Sequence, residues 1–129
     1  MITLLEIADL LADILETESV TAGCIDAALD YTIGIYQRES VVVRECIGCD
    51  SSFQIKKLRI LVRWGNNPSA AESKAFEIAE IVGSFRDMKT KDHIIKFTEI
   101  KAVRSLGKDE KGICEFIADA DLVYTKKEE

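Results

Sequence analysis

Hydrophobic and polar positions recur with two periods along this chain, and the switches between them mark its elements. From Met1 to about Leu15, apolar residues at Leu4, Ile7, Leu11, Ile14 and Leu15 are three and four apart, and Leu5, Ala8 and Leu10 widen their stripe. That spacing predicts an amphipathic helix. Thr3 suits its N-cap, and Glu6 three residues on completes a capping box. Thr17 to Ala28 fits neither period; Thr21 is a weak start for a second short helix beside Gly23. Tyr31 to Arg38 is β-branched and aromatic, with Ile33 and Ile35 on one face, and predicts a strand. Val41, Val42 and Val43 predict a further extended piece, and Cys46 to Ser52 a polar link.

The next stretch carries the clearest alternation. Leu58, Ile60, Val62 and Trp64 alternate with Lys57, Arg59 and Arg63, so Ile55 to Trp64 predicts a strand with one packed face and one basic face; Leu61 interrupts the basic side. Gly65-Asn66-Asn67-Pro68 is a turn. Ser69 and Glu72 offer a second capping box for a helix from about Ala70 to Ser84. Ala71, Ala75, Ile78, Ala79 and Val82 line one side of it, with Phe76, Ile81 and Phe85 beside them, and the small residues let it lie close to a sheet. Ile94 to Val103 predicts a strand, Ser105 to Gly112 a hairpin loop, and Gly112 to Tyr124 the longest strand. There Cys114, Phe116, Ala118, Ala120, Leu122 and Tyr124 face one way, and Glu115, Asp119 and Asp121 the other. Residues 125–129 are a charged tail expected to fray.

The order helix, two or three strands, helix, two strands predicts one α+β domain over residues 1–129. It is a two-layer sandwich: a mostly antiparallel sheet of four to five strands, covered on one face by two main helices.

Length and composition narrow the function classes. A chain of 129 residues, 47% hydrophobic and 31% charged, suits one folded domain and leaves no room for separate substrate and cofactor domains. No window holds about 18 uncharged apolar residues, the length that would mark a membrane-spanning helix. The opening lacks a basic n-region and carries Glu6, Asp9 and Asp13, so no secretory signal is expected and a cytosolic protein is the default. The net charge of −6 is unevenly spread. Residues 1–30 hold acids and no lysine or arginine, while the remainder is nearly balanced. No basic stripe dominates, which argues against specific nucleic-acid binding. An acidic patch on one copy facing a basic patch on another is permitted, and so is a simple solvated helix face.

Candidate chemistry is sparse. Cys46-x-x-Cys49 has the spacing of half a zinc site, but Cys24 and Cys114 are isolated, and His93 is the only histidine, following a lysine-rich turn. Cys114 falls on an apolar strand face, where a thiol acts as a small hydrophobe. No Gly-x-Ser-x-Gly and no phosphate-binding glycine loop occurs. Asp119 and Asp121 share a strand face and are expected to be solvated. We therefore expect no catalytic residues, no cofactor and no metal. The basic row Lys57, Arg59 and Arg63 and the acidic row Glu115, Asp119 and Asp121 have two explanations. Either they pair across neighbouring strands of one monomer, or they set the orientation of a subunit contact. Trp64 suits either a core end or an interface anchor.

Four features together resemble the tail-terminator proteins of long-tailed bacteriophages and prophages, also known as minor capsid or head–tail joining proteins. They are the helix opening almost at Met1, the strand Leu58 to Gly65, the alanine- and glutamate-rich helix after Asn66-Asn67-Pro68, and the Leu106 to Gly112 loop leading into the strand that ends at Tyr124. The resemblance implies a virion structural protein of the tail or neck, made in the host cytoplasm and assembled as a ring, commonly a hexamer. Such a ring caps the tail tube and meets the head–tail connector. By that resemblance, Asp9, Asp13, Lys57, Arg59, Arg63, Trp64, Lys108 and Asp109 are candidates for contacts with other subunits or the tail-tube protein. The alternatives are a host adaptor or regulatory binding domain, and a small zinc- or thiol-dependent protein using Cys46 and Cys49.

Overall fold

The computed structural model describes residues 2–16, 19–25, 29–38 and 53–126. In chain order these form α1 (Leu4–Leu15), β1 (Val20–Ala22), β2 (Tyr31–Gln37), β3 (Gln54–Trp64), α2 (Pro68–Gly83), β4 (Arg86–Lys89), β5 (His93–Lys108) and β6 (Cys114–Lys126). The strands make one six-stranded sheet in the order β1-β2-β3-β6-β5-β4. Among the described residues only the β1–β2 pair is parallel. The expected α+β class holds, with more strands than the four to five predicted, and the sheet curls into a half-barrel instead of lying flat.

The curl has a local cause. β5 has 16 residues and β6 has 13, and the three surplus residues enter β5 as interruptions of its register with β6. These fall between Ile95 and Phe97, between Ile100 and Ala102, and between Ser105 and Gly107. Lys96, Lys101 and Leu106 are therefore the inserted residues, five apart. Each such bulge bends its strand and increases the right-handed twist. The bulges also explain why alternation along Ile94 to Val103 is irregular in the sequence: every insertion swaps the residues after it to the other face.

One apolar core lies on the helical side of the sheet. It joins Ile33 and Ile35 of β2, Leu58, Ile60 and Val62 of β3, and Ala118, Ala120, Leu122 and Tyr124 of β6 to both helices. α2 presents Ala71, Ala75, Ile78, Ala79 and Val82, all buried. Alanines one turn apart let the helix axis approach the strands. Phe76, expected beside that face, is instead half exposed on the outer side. On α1, Ile7, Ala8 and Leu11 are buried and Leu4 and Leu15 pack beside them, whereas Ile14 falls on the margin of this arc and is exposed.

The helix starts separate one correct expectation from one correction. Thr3 caps α1 as expected: its side chain accepts from the Glu6 amide, and the Glu6 carboxylate accepts from the Thr3 amide. α2 starts earlier than expected. Asn67 is its N-cap, accepting from the Ser69 and Ala70 amides, and Pro68 takes the first turn, where its missing N–H costs nothing. Ser69 with Glu72 is thus not the capping pair.

Further expectations change. The short helix weakly suggested at Thr21 is replaced by β1, an edge strand paired with Ile33 to Ile35. β4 was not foreseen. The hairpin loop expected over Ser105 to Gly112 shrinks, because β5 continues to Lys108 and becomes the longest strand. Thr125 and Lys126 belong to β6 instead of fraying. Val41 to Val43, the Cys46-x-x-Cys49 pair and residues 127–129 lie outside the described residues.

Candidate functional site

The face of the sheet away from the helices carries most of the charge chemistry, and the strand register shows how it is built. β3 and β6 are neighbours, with Lys57 opposite Asp121, Arg59 opposite Asp119, and Arg63 opposite Glu115. The basic and acidic rows seen in the sequence therefore meet within one chain. Arg59 grips Asp119 with two bonds, Nε to Oδ1 at 2.9 Å and Nη2 to Oδ2 at 3.1 Å. The Arg59 guanidinium holds the Asp119 carboxyl below the usual carboxylate range, outweighing the opposing effect of burial. Arg38, just past β2, reaches Asp121 at 2.6 Å. Asp119 and Asp121, expected to be solvated, are both ion-paired and largely covered.

Arg63 is more deeply placed. Its side chain is 5% exposed, with Nη1 at 2.6 Å from Asp109 Oδ2 and 3.6 Å from Glu115 Oε2. Its Nε and Nη2 are buried without a hydrogen-bond partner among the described residues. Asp109 serves two purposes. Its Oδ1 accepts from the Lys111 and Ile113 amides, each at 2.9 Å, shaping the tight β5–β6 turn, while Oδ2 meets Arg63. Those backbone bonds and Arg63 hold its carboxyl below the usual range. Arg59, Arg63 and Asp109 are thus engaged inside the monomer.

Trp64 is half buried at the end of β3. The Tyr31 ring meets it edge-on, with centroids 5.1 Å apart, and Lys74 Nζ sits 4.8 Å from its centroid. Lys108 is exposed at the end of β5, and Asp9 and Asp13 are exposed on α1. Leu5 and Leu10 flank these two acids, and together with the Lys89 to Asp92 turn they border an open groove of about 460 Å³.

Sequence reasoning missed a second cluster. His93, expected in a solvated turn, is buried as the first residue of β5. Its Nδ1 lies 3.0 Å from Glu6 Oε2, and its ring meets Tyr124 edge-on at 5.3 Å. The Tyr124 hydroxyl accepts from the Ile2 amide at 3.3 Å. The capping carboxylate of α1 therefore also ties the helix start to β5 and β6. Burial, with Glu6 close by, pushes the Tyr124 hydroxyl above its ordinary pKa. The capping box was legible, but no local pattern links position 6 to position 93. The cluster's groups satisfy one another and hold the chain start in place.

One end of the charged face is apolar. Ile55 lies opposite Val123, which lies opposite Phe97, so three side chains form a row across β3, β6 and β5. Ile55 and Phe97 are 52% and 44% exposed, and Phe53 beside them is 56% exposed. Among the described residues no three histidine, cysteine or acidic side chains converge to hold a metal, and no helix is long and apolar enough to cross a membrane. Cys24 is exposed and Cys114 is buried, as its strand position predicts.

No family model matches the chain, and no curated protein matches it. Among solved structures it is similar to a chain whose name carries no functional description, at 13% identity and a TM-score of 0.51. The match covers 96% of this chain and 89% of the other, so the likeness extends over nearly the whole fold.

Proposed function

We propose that this protein is a bacteriophage or prophage structural protein of the tail or neck, a tail terminator or head–tail completion protein. In this reading it acts as a ring, commonly of six copies, that caps the tail tube and meets the head–tail connector. It is made in the host cytoplasm and ends in the virion. The role is architectural, not enzymatic. It needs no cofactor, metal, membrane or specific nucleic-acid sequence. Its partners are copies of itself, the tail-tube protein and the connector protein.

The observation that carries this reading is the unequal charge of its outer surfaces. α1 exposes Asp9 and Asp13 and carries no base, while the far end of β5 exposes Arg104 and Lys108; Glu6, Lys96 and Lys101 are paired within the chain. Surfaces of opposite sign on one small chain suit assembly with further copies. Three of the elements behind the resemblance support this reading, namely the capped first helix, the strand ending at Trp64 and the alanine-lined helix, while the expected Leu106 to Gly112 loop is shorter because β5 runs to Lys108.

The exposed row of Phe53, Ile55 and Phe97 favours a second reading, a host adaptor whose partner covers that row. Electron microscopy separates the two. The protein is mixed with tail tubes from the phage or prophage whose portal, capsid and tube genes flank its own. A ring at one tube end is expected. Bare tubes at every protein concentration, or a gene with no such neighbours, would overturn the proposal.

A further inference from the structure

Along one chain, the basic end of β5 and the acidic face of α1 are held far apart. β4 pairs with β5 only as far as Phe97, so among the described residues the outer edge of β5 from Thr98 to Lys108 has no strand beside it. Arg104, Leu106 and Lys108 on this stretch are exposed, Leu106 by 54%. Glu6 of α1, by contrast, is tied to His93 at the opposite end of β5. Strand rise puts Lys108 about 40 Å from that end once the bulges are allowed for. The two surfaces cannot neutralise each other within a monomer.

We infer that the free end of β5, through Arg104, Leu106 and Lys108, docks on the Asp9 and Asp13 face of α1 in a second copy of this chain. This rests on the self-assembling role proposed above and names the surfaces that would build it. Two observations choose the occupant. The first is charge: Arg104 and Lys108 are exposed on the free stretch of β5, whereas Lys101 there is paired with Glu99 and Asp121, and Asp9 and Asp13 are exposed on α1, which carries no base. The second is shape. The groove beside Asp9 and Asp13 is also lined by Lys89, Lys91 and Asp92, so its acids outnumber its bases only slightly, and it is flanked by Leu5, 61% exposed, and by Leu10, which offer a seat for Leu106.

A helix face is a better match for this edge than another strand. The bulges at Lys101 and Leu106 break the even spacing of free N–H and C=O groups that an added strand would need, and lysine-bearing, bulged edges resist strand addition. The contact joins two different surfaces, so it is heterologous. Repetition of such a contact gives a closed ring when the rotation closes, and a filament when it does not.

Charge reversal on each surface tests the contact. Sedimentation velocity of the full chain should show concentration-dependent assembly. Asp9→Lys with Asp13→Lys should leave it monomeric, and so should Arg104→Glu with Lys108→Glu. All four positions are exposed, and circular dichroism of each variant should match the parent. Mixed in equal amounts, the two variants should reassemble, because each then meets its opposite. A parent chain that stays monomeric overturns the inference, and so do variants that assemble like the parent or a mixture that stays monomeric. The tail-tube experiment fails independently. A monomer that still caps tubes would keep the terminator role and remove this contact; a ring that ignores tubes would do the reverse.

Discussion

At the scale of single residues, the charged sheet face is held together by pairs that differ in depth. The Arg59–Asp119 pair is two-pronged but partly wet, because the Arg59 side chain is 38% exposed. Solvent screening limits such a pair to about 0.5–1 kcal/mol. The sign of its pH dependence follows from the depressed Asp119 pKa. The contribution is complete above the unfolded value of about 4 and is lost as pH falls through the lower folded value. Asp119→Asn should therefore be less stable than the parent in urea at pH 7, and the two should converge near pH 2. Gly34 is constrained by space. A Cβ there would sit 2.6 Å from Ile25 Cγ2 and 2.8 Å from Tyr36 Cε2. Gly34→Ala should lower stability by about 1–3 kcal/mol in urea unfolding. That cost should shrink in an Ile25→Ala background, which removes the tighter clash.

At the scale of elements, register explains most of what the sequence hid. The alternations of β3 and β6 were legible because neither is interrupted over its pairing with the other: Leu58, Ile60 and Val62 face Ala120, Ala118 and Phe116 without a break. Among the described residues only β5 is irregular, and each of its bulges resets which face the next residue takes. Lys101 is skipped in the backbone register with β6, so deleting it leaves Ile100 opposite Ala120 and Ala102 opposite Asp119. We expect that deletion to keep a cooperative fold. Deleting Ala118 from β6, which is paired on both sides, should throw half the strand to the wrong face and abolish cooperative unfolding in circular dichroism melts. β4 stayed invisible to the pattern because Arg86-Asp87-Met88-Lys89 has no apolar alternation and is a strand only through its pairing with β5.

At the scale of the whole molecule, the helices and β5 divide the surface by sign. The net charge of −6 conceals this, since it averages an acidic helix against a basic strand. Attraction between such surfaces acts through solvent, so it weakens as the screening length falls from about 10 Å at 0.1 M salt to about 3 Å at 1 M. Assembly measured by light scattering should therefore decline over that range. If the exposed row of Phe53, Ile55 and Phe97 drove association instead, salt would leave it unchanged or strengthen it.

The sequence by itself determined the α+β class, the capping box of α1, the buried faces of α2, β3 and β6, and the two opposed rows of charge. Each depends on residues close together in the chain, where a period of two or of three to four registers directly. Tertiary structure alone decided whether those rows face each other or a neighbour. It brought β6 beside β3, and so engaged Arg59 and Arg63 within the monomer and left Arg104 and Lys108 at an open edge. It also joined Glu6 to His93 across most of the chain. Pairing between distant strands is set by the packing of the whole core, and no local period carries that information.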